Sequence, residues 1–291
     1  MQAILRLLAL LSLTLVTACD REPPAAAPQS GPALWRVQRG ALDGWLFGTI
    51  HVLPKGLAWQ TPALRQAMGE ADRLVLEAAD IQNPTKTLGL FEKMGRSAGL
   101  PPLEARVPTG EKAALEKTMR DGGANSQYLS GYESWAAAML LSAATQQALH
   151  VYQDDGVEQA LIPAFKGRPI GGLETVERQF GAFDTLPEAA QRRLLVQTVH
   201  EAKGMKALYE RILNAWAKGD MAAIDREDEI GEQPDPEVEN AVLIARNRDW
   251  VKAIEPMKGK PFIAVGAGHL TGKNNLIALL EAKGFKVTRV Q

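Results

Sequence analysis

Histidine and cysteine are scarce in this chain, so their positions carry weight. The 291 residues hold 4 His and a single Cys. One Cys excludes an internal disulfide framework and any Cys-cluster metal site. Two of the four His stand in the same local pattern. Phe47-Gly48-Thr49-Ile50-His51 and Val265-Gly266-Ala267-Gly268-His269 each read as an apolar run, a Gly, two residues and a His. A Gly at a strand end permits φ > 0 and close backbone approach. The following His then stands at the edge of the sheet, where open α/β sheets place their ligands. On neighbouring strands the two turns would bring both imidazoles together. On separate strands they would be unrelated loop residues, each hydrogen-bonded locally.

The elements that must position them are legible in part. Leu34 to Val37 and Gly44 to Gly48 flank a turn-like stretch and predict a β-hairpin. Thr61-Pro62 predicts a helix start, with Thr61 as N-cap. The continuous apolar run Leu74 to Leu76 predicts an interior strand ending at Glu77-Ala78. Helices are expected from Thr109, over 133–149, from Asp155 to Phe165, over 187–217, over 221–230 and over 238–254. A short strand is expected at 168–173, with Glu174 opening the next helix. Pro261 to Gly266 predicts a buried strand, 274–283 a helix stopped by Gly284, and 285–290 a last strand. The expected fold class is therefore α+β. One mixed sheet is built from N- and C-terminal strand segments, with a long, mainly helical insertion between them.

Composition narrows the function classes. There are 33 Lys+Arg against 34 Asp+Glu, with 46% hydrophobic residues. Disorder is excluded by that balance. A nucleic-acid partner is not expected of a near-neutral chain. The lone Cys19 ends an apolar run that is too short to cross a bilayer. Val16-Thr17-Ala18-Cys19 resembles a bacterial lipobox, in which the Cys is lipidated and becomes the new N-terminus. The expected organisation is a signal peptide over 1–18, a Pro- and Ala-rich tether over 19–33, and a domain over 34–291. The protein would be exported and would meet the membrane through its N-terminal lipid only, facing the periplasm or cell exterior.

Several residue groups have plain readings. His200-Glu201 lacks a second His four residues on, so it is not a zincin motif. His150 suits a helix C-terminus. Asp154-Asp155-Gly156 reads as a helix N-cap, or alternatively as an acidic contributor to a site. The six Trp read as packing residues. Nucleophile-elbow, P-loop and dinucleotide-binding fingerprints are absent from the sequence.

Taken in order and spacing, Gly48-Thr49-Ile50-His51-Val52-Leu53-Pro54, the strand ending in Glu77, Gly172-Leu173-Glu174-Thr175, Arg246-Asn247-Arg248-Asp249-Trp250 and Val265-Gly266-Ala267-Gly268-His269-Leu270 resemble the TraB/GumN family, which includes the animal Tiki proteases. The resemblance runs from about Leu34 to the C-terminus. Family members described as enzymes are metal-dependent peptidases using two Gly-x-x-His motifs and an acid. Others are regulators that shut off pheromone or polysaccharide pathways. The resemblance implies His51 and His269 as metal ligands with Gly48 and Gly266 as motif glycines. It also implies Glu77 as a ligand or catalytic acid, with Glu174, Arg246 and Asn247 beside it.

That N/O set suits Zn, Mn, Co or Fe, without choosing among them. Glu174 or Glu77 would serve as general base. Arg246 would hold a substrate carboxylate or an oxyanion. Each has a plainer alternative: Glu77 on the surface at a strand end, Glu174 as a helix N-terminal acid, and Arg246 paired with Asp249 or a nearby helix. Two functions follow. One is a lipid-anchored, metal-dependent hydrolase acting on peptides or another small envelope substrate. The other is a non-catalytic envelope lipoprotein that binds a peptide or glycan.

Overall fold

The computed structural model describes residues 30–54, 56–148, 156–230 and 235–291. Cys19, the signal segment, the tether up to residue 29, His150, Asp154 and Asp155 lie outside the described residues. The hairpin forms as expected, with β1 (Leu34–Arg39) paired antiparallel to β2 (Leu42–Thr49) and Gly40 at φ 56° in the turn. Then come α1 (Pro62–Glu70), β3 (Arg73–Ala78), α2 (Pro84–Gly95), α3 (Lys112–Asp121), α4 (Ser126–Ser130), α5 (Ser134–Ala148) and α6 (Val157–Ala164). β4 (Ile170–Glu174), α7 (Val176–Asp184), α8 (Glu188–Ala202), α9 (Met205–Ala217), α10 (Met221–Ile230) and α11 (Pro236–Glu239) follow. A π-helical turn at Asn240–Ile244 leads into α12 (Ala245–Ile254). The chain ends with β5 (Pro261–Gly266), a 3-10 turn at Ala267–Leu270, α13 (Leu276–Ala282) and β6 (Lys286–Arg289).

The strands make one six-stranded mixed sheet in the order β4-β3-β5-β2-β1-β6. The protein is α+β. The four strands β4, β3, β5 and β2 are mutually parallel. Alternation explains the two sheet faces. Phe262 and Ala264 join Trp45, Phe47, Leu74 and Leu76 under α1, α6 and α9. Ile263 and Val265 join Leu46 and Val75 under α12 and α13. A third cluster fills the helical region around Phe91, Trp135 and Phe180. All six Trp are buried.

Five local expectations change. The helix expected over 187–217 is two, because Lys203-Gly204 ends α8 and Gly is a poor helix interior residue. Glu174 closes β4 instead of opening a helix, and Thr175 caps α7 by accepting from Arg178 N. The sheet also takes β4 from the middle segment. Residues 31–33 are buried, so the expected tether stops short of residue 33. Helix α2 was not anticipated. Its Gly89 and Thr residues weaken the propensity signal, although Asn83 caps it and Pro84 takes the first position.

Buried Trp216 on α9 donates from Nε1 to the Gly48 carbonyl at 2.8 Å. It ties the end of β2 to the helical layer. Trp216→Phe keeps the ring packing but leaves that carbonyl unsatisfied. It is expected to destabilise the fold by about 1–3 kcal/mol, read by urea unfolding.

Asp235 caps α11, accepting from Glu237 N at 3.0 Å and Val238 N at 3.3 Å, and pairs with Arg193. Burial alone would raise its pKa. Arg193 and the cap bonds outweigh burial and hold it below the usual carboxylate range. A depressed folded pKa stabilises the protein above the unfolded value of about 3.9, and the gain is lost as pH falls through the folded pKa. Asp235→Asn should therefore flatten the acid limb of the stability curve below about pH 4, measured by thermal melts across pH.

Candidate functional site

The four parallel strands end side by side, and each delivers one group of interest. Gly48 of β2 stands opposite Val265 of β5, and Thr49 opposite Gly266. Ala78 of β3 stands opposite Glu174 of β4. His51 lies just past β2 and His269 just past β5, inside the 3-10 turn. Glu77 is the penultimate residue of β3, and Glu174 the last of β4. The site therefore sits at the carboxyl edge of the parallel strands. Glu77 is 7% exposed, so it is not a surface strand end.

Of the two reasons expected for the motif glycines, positive φ does not apply. Gly266 has φ −51° and ψ 134°, open to any residue. Gly48 also lacks a positive φ. What matters is the missing Cβ. A Cβ on Gly266 would lie 3.2 Å from Glu77 Oε1, 3.6 Å from His51 Nε2 and 3.8 Å from His269 Cδ2. Gly266 thus floors a small gap shared by two imidazoles and a carboxylate. Gly48 serves packing, since its Cβ would meet Leu270 Cδ1 at 3.2 Å.

Arg246, on α12, occupies the centre of this edge. It is 4% exposed. Its Nε donates to Glu174 Oε1 at 2.8 Å, and Nη2 to Glu174 Oε1 at 2.6 Å and Glu77 Oε2 at 2.7 Å. Nη1 donates to the Val242 carbonyl at 2.9 Å and faces His269 Nε2 at 3.3 Å. A guanidinium has five N–H donors, and all five are engaged within the protein. No donor is left for a substrate carboxylate or an oxyanion, which corrects the expected clamp role. Asp249 is also excluded as its partner, since it pairs with Arg178 and Lys252. Burial disfavours the Arg246 charge, but Glu77 and Glu174 outweigh it and raise the pKa. Burial pushes the Glu174 carboxyl up, only partly offset by Arg246. Its Oε2 has no hydrogen-bond partner of good geometry.

Glu77 is nearly saturated. Oε2 also accepts from Gln179 at 3.2 Å, and Oε1 accepts from Gly266 N at 2.7 Å. One lone pair on Oε1 remains to face the gap, with His269 Nε2 at 3.9 Å.

Both imidazoles are oriented through Nδ1. His269 Nδ1 meets Asn247 Oδ1 at 2.7 Å, and its ring packs on Trp250 with centroids 4.2 Å apart. His51 Nδ1 meets Glu158 Oε1 at 3.0 Å. Burial opposes an imidazolium at His51, but the Glu158 charge and hydrogen bond prevail and raise its pKa. Burial would raise Glu158, yet His51 holds it low. Sequence reasoning missed Glu158, because Asp155-Gly156-Val157-Glu158 reads only as a helix start. Gly156 was the available signal. A Cβ there would run into the His51 carbonyl, so only glycine lets α6 dock on that loop. Val157 N also donates to the Ile50 carbonyl at 3.3 Å.

The donor set fits a divalent metal in kind. His51 Nε2, Glu77 Oε1 and the His269 ring border one gap, with His269 Nε2 facing Arg246 Nη1, and each imidazole has the outer hydrogen bond that metal-binding His normally makes. Among the described residues, no three His, Cys, Asp or Glu groups already stand at ligand spacing. Binding would draw these donors inward.

The TraB/PrgY/gumN family pattern matches residues 33–289. Two relatives, each named an uncharacterized protein YbaP, come from Shigella flexneri and Escherichia coli (strain K12). The first is 25% identical over 256 residues, 86% of this chain and 92% of the relative. The second is 25% identical over 242 residues, 81% and 86% of the two chains. No solved structure matches the chain significantly. A match spanning both Gly-x-x-His turns and every strand of the sheet establishes that this chain belongs to the TraB/PrgY/gumN family.

Proposed function

We propose that the protein is a metal-dependent hydrolase of the cell envelope, acting on peptides and anchored by a lipid on Cys19. The observation that carries the reading is the gap over Gly266, bordered by His51 Nε2, Glu77 Oε1 and His269. A divalent ion held there would supply Lewis acidity toward a substrate carbonyl and would acidify a water. The protein's own residues do the rest. His51 presents Nε2 to the gap and Glu77 presents Oε1, and His269 would ligate through Nε2 on releasing Arg246 Nη1. Arg246 offsets the charge of both carboxylates and fixes Glu77 through Oε2. Asn247 and Glu158 hold the two rings in place. Glu174 is the group suited to hold or move a proton, because burial favours its neutral form and Oε2 is not held by a hydrogen bond of good geometry. The peptide class comes from the family resemblance, as do export and anchoring from the lipobox-like segment.

The double variant His51→Ala/His269→Ala is expected to lose bound metal and peptide cleavage together. Glu174→Gln should keep its metal while cleavage falls by about 10²-fold or more. Metal content by elemental analysis and turnover of a peptide library check both. Unchanged metal in the double variant would overturn the metal assignment. Tight metal and peptide binding without turnover would favour a non-catalytic binding protein.

Cys19→Ser is expected to abolish incorporation of labelled fatty acid and to move the protein from the membrane to the soluble fraction. Retention of label in that variant would exclude Cys19 as the anchor.

A further inference from the structure

We infer that His269 is held in one tautomer, with the proton on Nδ1 and the Nε2 lone pair facing Arg246, and that Asn274 is the positioning residue that enforces it through Asn247. The inference rests on reading the gap over Gly266 as the working site and adds how one of its rings is set.

The argument follows donors and acceptors. A carboxamide donates only from nitrogen and accepts only at oxygen. Asn247 Nδ2 lies 3.1 Å from the Asn274 backbone carbonyl, which can only accept. That contact fixes which end of the carboxamide is which. Asn247 Oδ1 is therefore the atom facing His269 Nδ1 at 2.7 Å, and Nδ1 must donate. The other side of the ring agrees. Nε2 faces Arg246 Nη1 at 3.3 Å, and a guanidinium has donors only. A proton on Nε2 would point at another N–H. Both neighbours thus select one tautomer, the one whose Nε2 lone pair accepts from Arg246.

Asn274 earns its role from its backbone. It has φ 58°, the only positive φ at a non-glycine residue among the described residues. The left-handed conformation is unfavourable for most residues, and Asn tolerates it better than others. Here it aims a carbonyl back at α12. The turn is pinned by Asn275, whose side chain donates to the Gly272 carbonyl at 2.9 Å and caps α13 by accepting from Ala278 N at 2.9 Å. Asn247 is 3% exposed, so water does not replace this carbonyl as its acceptor.

The test is a long-range ¹H–¹⁵N spectrum of ¹⁵N-histidine-labelled, metal-free full-length protein at pH 8. Four His make the spectrum tractable, and His269→Gln assigns the signal. The wild type is expected to show a pyrrole-type Nδ1 and a pyridine-type Nε2 at His269. Asn274→Gly retains a permitted left-handed backbone and should leave both signals in place. Asn274→Val cannot hold that backbone and should move them toward a tautomer mixture, as should Asn247→Leu. A pyridine-type Nδ1 in the wild type overturns the inference without recourse to any variant. Unchanged signals in folded Asn274→Val overturn the role of Asn274. Metal titration of the same samples is a separate readout. Its failure would count against the hydrolase reading and leave the tautomer result standing.

Discussion

One buried cation organises this protein's site. Arg246 brings together β3 through Glu77, β4 through Glu174, the 3-10 turn through His269, and the preceding helical turn through the Val242 carbonyl. A guanidinium in this setting is tolerable only when every donor is matched, because desolvating a charge costs several kcal/mol. The same holds for the two carboxylates it faces. Loss of one partner from such a cluster typically costs about 3–5 kcal/mol, since the others are left charged and dry. The interaction is better understood as fixing one arrangement than as adding stability. Its consequence for chemistry is that Arg246 is already used. The charges around the gap are set before any ligand arrives.

That cluster depends in turn on the sheet. Glu77 and His269 are far apart in sequence, and β3 lies beside β5 only because the chain crosses the sheet and returns. Parallel strands put all their carboxyl ends on one edge, so groups from four distant segments meet without long loops. The large helical region between β3 and β5 supplies β4 with Glu174, α6 with Glu158, and α12 with Arg246 and Asn247. It is therefore not merely an insertion beside the site. It provides the partners that orient every group at the edge.

The legible part of the site was the part encoded by repetition. Two Gly-x-x-His turns after apolar strands announced themselves because His is rare here and the context was shared. The sheet that joins them followed from the need to pair short terminal strands. What escaped reading was pairing. Glu158 sits in an ordinary helix-start pattern, and nothing local says that its partner is a histidine more than a hundred residues away. Glu174 looked like a helix cap because strand ends and helix starts share the same turn chemistry. The glycines were seen with two reasons, positive φ and close approach, and only close approach applies. Conformational freedom is the usual explanation for a conspicuous Gly, and a dihedral angle is needed to show that the lack of a side chain is what counts at Gly266.

The two turns nevertheless do not produce equivalent imidazoles. Sequence symmetry ends at the ring, and the asymmetry comes from what lies behind each Nδ1. His51 is backed by a carboxylate, which attracts the ring proton and any further positive charge. His269 is backed by a carboxamide, which accepts a hydrogen bond but offers no net charge, and it is flanked by a guanidinium. A charged acceptor makes an imidazole a better donor to a cation, whereas a neutral acceptor mainly holds its angle. The His51 side of the gap is therefore the electron-rich side, and the His269 side is geometrically constrained. Exchanging Glu158 and Asn247 between the two rings would preserve both Gly-x-x-His turns and the overall charge yet reverse this polarity. The motif alone therefore cannot specify the site: its electrical direction is written in α6 and α12.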